Sequence, residues 1–175
     1  MKQRRDELGL DDTDRKILSQ LQQDCKTPLA KIGERVGLSA PSVVERVRKL
    51  ESEGFVRGYH ASLDARRLGF DITAFIGVSI GHPKGITFFE QQLGALEQVL
   101  ECHHVTGEHT LLLKVKTRNT QSLEELIRVL RSIEGVERTE TSVVLSTKVE
   151  RPGISVAAHE HAEEQPSPVQ ISSRP

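Results

Sequence analysis

Two short helical patterns on either side of one glycine restrict the fold of this chain more than any other feature of its sequence. Gly37 separates them and is typical of a left-handed helix stop. Ser39 is suited to cap the second helix, and Pro41 fits its first turn, where no N–H is needed. The apolar positions that recur at helical spacing are Leu29, Ile32, Val36, Val43, Val44, Val47 and Leu50. The pattern predicts two helices packed across a tight turn, a helix-turn-helix, at about residues 29–50.

One more helix is predicted before this pair in the chain, so that the pair forms the second and third helices of a three-helix unit. Asp11 is suited to cap its free N–H groups. Its apolar side is formed by Ile17, Leu18 and Leu21. Pro28 is expected in the first turn of the helix that follows it. Residues 55–60, which follow the third helix in the sequence, have the pattern of a strand pair or wing.

Alternation of apolar and other residues marks the second half of the chain. Residues 72–80 alternate as in a half-buried strand, residues 81–85 are expected to break it, and residues 99–106, 110–116 and 139–147 also have strand patterns. Two amphipathic helices are predicted between these strands. The apolar positions of the first are Phe89, Leu93 and Leu96. Thr120 is the expected cap of the second, whose apolar positions are Leu123, Leu126, Ile127 and Leu130. The order predicts a ferredoxin-like βαββαβ domain and assigns the chain to the α+β class.

These patterns divide the chain into four parts. Residues 1–9 are predicted to be a flexible arm, residues 10–67 a helix-turn-helix domain and residues 68–150 the ferredoxin-like domain. Residues 151–175 are rich in Pro, Ser, Glu and Gln and are predicted to be a disordered tail.

Composition and charge exclude several classes of protein. No apolar run reaches the roughly 20 residues of a membrane helix, and the first residues lack the apolar stretch of a secretory signal. Two cysteines cannot form a disulfide framework or a four-cysteine zinc site, so the cytoplasm is the expected location. The net charge is −1, but residues 1–67 carry 14 Lys and Arg against 11 Asp and Glu, whereas residues 68–150 carry 8 against 11. A basic first half is consistent with binding to a polyanion.

The exposed face of the third helix offers a group of side chains that bind DNA. Arginine pairs with guanine edges or phosphates, and serine at a helix start reaches phosphates or bases. The candidate DNA-binding residues are Ser39, Ala40, Ser42, Glu45, Arg46, Arg48, Lys49 and Arg57. A plain three-helix unit with a solvated basic helix is the alternative. In that case the protein is a ligand-sensing or assembly module whose first domain contacts protein instead of DNA.

Motifs in both halves resemble the Lrp/AsnC family of regulators, also called feast/famine regulators. The first half carries LDDTDRKIL at residues 10–18, IGERVGLS at 32–39, VERVRKLE at 44–51 and EGFVRGY at 53–59. The second half carries LECHHVTG at residues 100–107 and IEGV at 133–136. The resemblance covers roughly residues 10–150 and is specific, because the motifs of both domains occur in the family's order.

This resemblance implies a sequence-specific transcription regulator that binds double-stranded DNA. The first domain is then a winged or wing-like helix-turn-helix, and the second is a RAM-type domain that forms homodimers through its sheet and often assembles further, up to octamers. Two-fold dimers read inverted half-sites about one DNA turn apart. A small effector, often an amino acid, binds between second domains in this family, partly at the turn that links the two middle strands.

That turn departs from the family pattern of Gly-Asp-aromatic-Asp. The candidate effector residues here are Gly107, Glu108, His109 and Thr110, with Thr139 and Thr141 on the last strand as weaker candidates. An acidic side chain suits the ammonium of an amino acid, whereas threonine offers only a neutral hydrogen bond. Four possibilities stay open: the ligand is placed differently, it is not a standard α-amino acid, there is no ligand, or the segment is an ordinary hairpin turn.

No catalytic, cofactor or metal site is predicted from the sequence. His103 and His104 are neighbours on a strand, so their side chains point to opposite faces. His159 and His161 lie in the predicted tail. No nucleophile elbow, phosphate-binding loop, HEXXH motif or dinucleotide fingerprint is found, so an enzyme is not expected.

Overall fold

The computed structural model describes residues 9–151 and 153–156, which form two compact units. The first unit holds the described residues up to His60 together with those from Glu150 onward. The second unit is Ala61–Val149. Residues 61–67, assigned to the first domain on sequence grounds, therefore group with the second unit. The predicted arm, except for its last residue, lies outside the described residues.

Three helices form the first unit, as the sequence predicts: α1 (Asp12–Gln23), α2 (Leu29–Val36) and α3 (Ala40–Ser52). Asp11 caps α1 by accepting a hydrogen bond from the backbone N–H of Asp14, whose own side chain accepts one from the N–H of Asp11. Pro28 is the residue before α2 and not in its first turn. This difference of one position leaves its role as a helix-starting residue unchanged.

The turn between α2 and α3 is as tight as the glycine pattern requires. Gly37 ends α2 with φ 71°, the left-handed conformation that glycine adopts without strain. Ser39 caps α3 by accepting a hydrogen bond from the N–H of Ser42. Gly33 lies so close to the turn that a Cβ atom there would be 2.6 Å from the carbonyl oxygen of Leu38. The buried apolar side chains of this unit are Leu10, Ile17, Leu18, Leu21, Ile32, Val43, Val47 and Leu50.

The predicted wing is wrong, because residues 55–60 contain no strand. Instead the segment is tied back to α3: the N–H of Val56 donates to the carbonyl of Leu50, and the hydroxyl of Tyr59 donates to the carboxylate of Glu51 at 2.8 Å. Burial and this hydrogen bond raise the pKa of Tyr59 to about 12. A strand pair needs two facing backbones, and these contacts hold a single extended segment.

The second unit has the predicted ferredoxin-like order. Its elements are β1 (Ile72–Ile80), α4 (Pro83–Leu93), β2 (Val99–His104), β3 (Leu111–Thr117), α5 (Thr120–Ser132) and β4 (Val136–Val143). The four strands form one antiparallel sheet in the order β2-β3-β1-β4. A single 3-10 turn, Arg66–Leu68, precedes β1.

Strand register gives this sheet two different faces. Alternate residues of the central strands are buried in the core with the helices, and we call this the inner face. Its buried members are Ala74, Ile76, Val78, Leu111, Leu113 and Val115, packed with Phe89, Leu123, Leu126 and Leu130. The opposite, outer face includes Phe75 and Gly77 of β1 and their register partners on β3 and β4.

Three boundaries of the second unit differ from the sequence prediction. The segment 81–85 breaks the strand as predicted, since β1 ends at Ile80, but α4 already begins inside it at Pro83, with His82 as its cap. Asn119, not Thr120, caps α5, and it does so in a capping box with Ser122. The last strand begins earlier than predicted and ends at Val143, and beyond it only the N–H of Val144 still donates to the carbonyl of Thr73 on β1.

Part of the predicted tail is ordered against α1. The side chain of Gln22 accepts a hydrogen bond from the N–H of Ile154 at 2.7 Å and donates one to its carbonyl at 2.8 Å. Arg15 donates to the carbonyl of Val156 at 2.9 Å, and the side chain of Val156 packs against the core of the first unit. The prediction of disorder is therefore wrong for residues 153–156. The rest of the predicted tail, from residue 157, lies outside the described residues.

We expect Val156→Asp to lower the thermal stability of the first unit, because a charge would replace an apolar side chain that is half-buried in its core. The free energy of unfolding should fall by about 1 kcal/mol or more, which is the contribution expected from burying part of a valine side chain. Circular dichroism during heating measures it. Ser155→Asp is the matched control, since Ser155 is exposed. Equal melting temperatures for the two variants would contradict the docking of this segment.

Candidate nucleic-acid interface and ligand site

The outward face of α3 is set by its helical period. Val43, Val47 and Leu50 are buried, so the side chains on the opposite side of the helix point to solvent. Glu45 and Arg48 are exposed there. Arg48 forms no ion pair with any residue that the structure describes. Its guanidinium is therefore available to a partner outside the unit.

Arg46 has a different environment from the one predicted. Its Nη1 lies 2.7 Å from the carboxylate of Asp11 and 2.6 Å from that of Asp14, and both carboxylates are buried. These are the two residues that cap α1. The expectation that Arg46 lies free on the exposed face is wrong. Its single positive charge instead pairs with two buried carboxylates and joins α3 to the start of α1.

The charges of this network depend on one another. Burial by itself raises the pKa of Asp11, but the hydrogen bonds from Arg46 and from the backbone of Asp14 outweigh burial and lower that pKa below its usual value. Burial lowers the pKa of Arg46, and the two aspartates more than offset this and raise it. A depressed carboxyl pKa contributes stability above the unfolded-state value, about 3.9, and loses it as the pH falls through the folded-state value.

The remaining candidates for DNA contact lie at the two ends of α3. The hydroxyls of Ser39 and Ser42 are 2.8 Å apart at its start, and Ser39 is exposed while Ser42 and Ala40 are half-buried. Lys49 forms an exposed helical pair with Glu53 at 3.5 Å. Such a pair contributes little, so the ammonium of Lys49 exchanges partners readily. The last candidate, Arg57, is exposed in the extended segment behind the helix.

The ligand turn links β2 to β3 on the second unit. Gly107 has φ 117°, and the N–H of Val105 donates to the carbonyl of Thr110 across the loop. The hydroxyl of Thr110 accepts a hydrogen bond from the N–H of Ile80, and its own N–H donates to the carbonyl of Val78. Thr110 stands at the position of the second acidic residue of the family pattern, but its hydrogen bonds attach the turn to β1.

His109 reaches from this turn over the outer face of the sheet. A Cβ atom at residue 77 would overlap its imidazole ring, so only glycine on β1 leaves room for it. The Nε2 of His109 is 3.9 Å from the carboxylate of Glu140 on β4. Arg138 lies beside them, with one guanidinium nitrogen 3.0 Å from Glu108 and the other 2.7 Å from Glu140.

The structure divides the sequence-predicted ligand residues between the two faces of the sheet. Thr139 and Thr141 pair with Val78 and Ile76, which are inner-face residues, so they do not lie beside His109. Their neighbours Arg138 and Glu140 do, because successive strand residues alternate in direction. Sequence reasoning missed these two residues and Gly77. A glycine inside a strand that is otherwise apolar was the available signal.

Comparison with known proteins places both units in one family. The family model of the AsnC-type helix-turn-helix domain matches residues 10–51, and that of the Lrp/AsnC ligand binding domain matches residues 73–154. The HTH-type transcriptional regulator FL11 of Pyrococcus abyssi is 34% identical over 82% of this chain and 94% of its own length. The chain belongs to the Lrp/AsnC family. It is a helix-turn-helix transcription regulator.

Solved structures of relatives have the same fold. Escherichia coli AsnC superposes on this regulator with a TM-score of 0.78 at 28% identity, covering 83% of this chain and 98% of that protein. The transcriptional regulator NMB0573 from Neisseria meningitidis, solved in complex with L-methionine, gives 0.78 at 31% identity over 81% and 94% of the two chains. Across the described residues of this regulator, no helix is long and apolar enough to cross a membrane.

Arg46→Ala should destabilise the first unit at neutral pH by about 3 kcal/mol, because it leaves two buried carboxylates without their counter-charge. The loss should shrink as the pH falls below about 4 toward the lowered pKa of Asp11, because that carboxylate then takes up a proton and no longer attracts Arg46. Chemical denaturation followed by circular dichroism at a series of pH values measures both effects. Arg48→Ala is the control and should change stability by less than about 0.5 kcal/mol. A loss for Arg46→Ala that does not depend on pH would contradict the ion-pair assignment.

Proposed function

We propose that this regulator binds double-stranded DNA in the cytoplasm through the outward face of α3. The observation that supports this most is the exposed guanidinium of Arg48, which has no ion-pair partner among the described residues. Serines surround the start of the same helix, where exposed hydroxyls and backbone N–H groups suit phosphate oxygens. Ser39, Ala40, Ser42, Glu45, Arg48, Lys49 and Arg57 make up this proposed interface.

Arg46 has a separate part in this proposal. It orients α3 through Asp11 and Asp14 and does not contact DNA. The position of α3 against α1 is then fixed before DNA binds, so little conformational entropy is lost on binding. This assignment changes which arginines should affect the salt dependence of DNA binding.

The second unit is proposed to pair copies of the chain and to bind a small effector. Its outer face has no helix of its own unit over it, and Phe75 is an exposed large apolar residue on that face. A homodimer, or a higher homo-oligomer of up to eight chains, would place two α3 helices on inverted half-sites. The turn at residues 107–110 with Arg138 and Glu140 is the proposed effector site.

Replacing Arg48 and Lys49 by Ala should weaken DNA binding and lower the dependence of log affinity on log salt by about 1 for each lost phosphate contact. Titration of a labelled genomic target site at several salt concentrations measures both. Arg128→Ala removes one charge from an exposed position of α5 and should leave the slope unchanged. The folded fraction of Arg46→Ala should also keep its slope.

An unchanged affinity and slope in the Arg48 and Lys49 variant would contradict this interface. If the parent chain binds no DNA but retains a protein from the same cell, the first unit contacts protein instead. Genomic footprinting supplies the target sites for these titrations.

A further inference from the structure

The proposed effector site contains a group of side chains that suits a metal ion better than an amino acid. Glu108, His109 and Glu140 each offer one ligand atom, and these atoms lie within 4.8 Å of one another. We propose that they bind a divalent cation of the zinc type. This inference rests on the proposed effector function of the second unit and names the chemical class of its ligand.

The ligand types support this choice of cation. Zinc takes imidazole nitrogen and carboxylate oxygen at about 2.0–2.2 Å, often with three protein ligands and one open position. Such a geometry needs ligand atoms about 3.4 Å apart. Glu108 and Glu140 are half or more exposed, so their side chains are free to make this approach. Magnesium and calcium prefer sites made of oxygen alone.

His109 is held in place for this role by the sheet beneath it. Its side chain is only 19% exposed, and Gly77 leaves the space in which the ring lies. Its Nδ1 is buried and forms no hydrogen bond within the described part of the chain. An exposed histidine would be satisfied by water, whereas this ring is packed against the sheet with Nε2 3.9 Å from the carboxylate of Glu140. Packing thus holds the imidazole of His109 in position, whereas the other two proposed ligands, Glu108 and Glu140, are exposed.

Arg138 at present neutralises the two carboxylates. It bridges Glu108 at 3.0 Å and Glu140 at 2.7 Å, and its side chain is more than half exposed. A cation between these carboxylates would take over that role, and the guanidinium would move into solvent at little cost. Arg138 is therefore a competitor of the metal.

Isothermal titration of the metal-free full chain with Zn²⁺ tests the proposal. The parent for all variants carries His159→Ala and His161→Ala, which removes a pair of histidines, separated by one residue, that would compete for Zn²⁺. His109→Ala and Glu140→Gln should each lower the affinity about tenfold or more, the size of effect seen when a ligand's surroundings are lost. Arg138→Gln should instead raise it about two- to fivefold, since the competing charge is gone.

His103→Ala is the matched control for the imidazole. His103 lies on the same outer face and pairs with Glu101 at 3.1 Å, but it is not among the three ligands. Its substitution should leave the affinity unchanged. Circular dichroism of every variant checks that the fold is retained.

Several results would overturn the cation site. These are the absence of Zn²⁺ binding, an affinity that His109→Ala and Glu140→Gln leave unchanged, an equal affinity for Mg²⁺, or no gain in Arg138→Gln. Binding of amino acids but not Zn²⁺, lost in His109→Ala, would also overturn it while keeping the effector site. DNA titrations of the same parent separate these outcomes, because intact DNA binding without Zn²⁺ binding contradicts the cation alone.

Discussion

The first unit depends on one arginine that connects two helices by charge. Arg46 on α3 binds the two aspartates that cap α1, and all of these groups lie at the edge of a small core. A three-helix unit of this size buries few apolar side chains, so ion pairs between its first and last helices add to a small number of contacts that hold it together. The helix that we propose to bind DNA is thereby positioned by an arginine that points toward α1.

The second unit depends on a different constraint, the alternation of side chains along a strand. One register places Ala74, Ile76 and Val78 against the helices, and the same register places Phe75 and Gly77 on the outer face. His109 then lies above Gly77, and Arg138 and Glu140 of β4 come beside it. The proposed ligand site is thus a consequence of the pairing of β1 with β4, in which Gly77 lies opposite Glu140 from a distant part of the chain.

These two arrangements respond differently to substitution. Changes on the outward face of α3 leave the core of the first unit intact, whereas a change at Arg46 breaks the ion pairs that join α3 to the start of α1. Similarly, a change at the exposed Glu108 alters the turn between β2 and β3 alone, whereas a side chain at Gly77 would overlap the ring of His109. The residues of both proposed sites are therefore held in place by residues outside those sites.

Local physics made much of the fold predictable from the sequence. Gly37, Ser39 and Asp11 act on backbone groups next to them, so the helix ends could be read directly, and the period of the apolar residues gave the order of helices and strands. Motifs spread along both halves likewise indicated the family. Boundaries that depend on a distant partner, such as the end of β4, were less accurate.

Contacts between distant segments were decided only by the tertiary structure. The pairing of Arg46 with Asp11, the packing of Val156 on the first core and the meeting of His109 with Glu140 each join residues that share no local pattern. A sequence shows that a charge lies on a helix, but not whether a carboxylate from another helix reaches it. For this reason the sequence by itself determined the elements, their order and the family. The fold alone determined which arginine of α3 is held in an ion pair with α1 and which side chains surround the turn between β2 and β3.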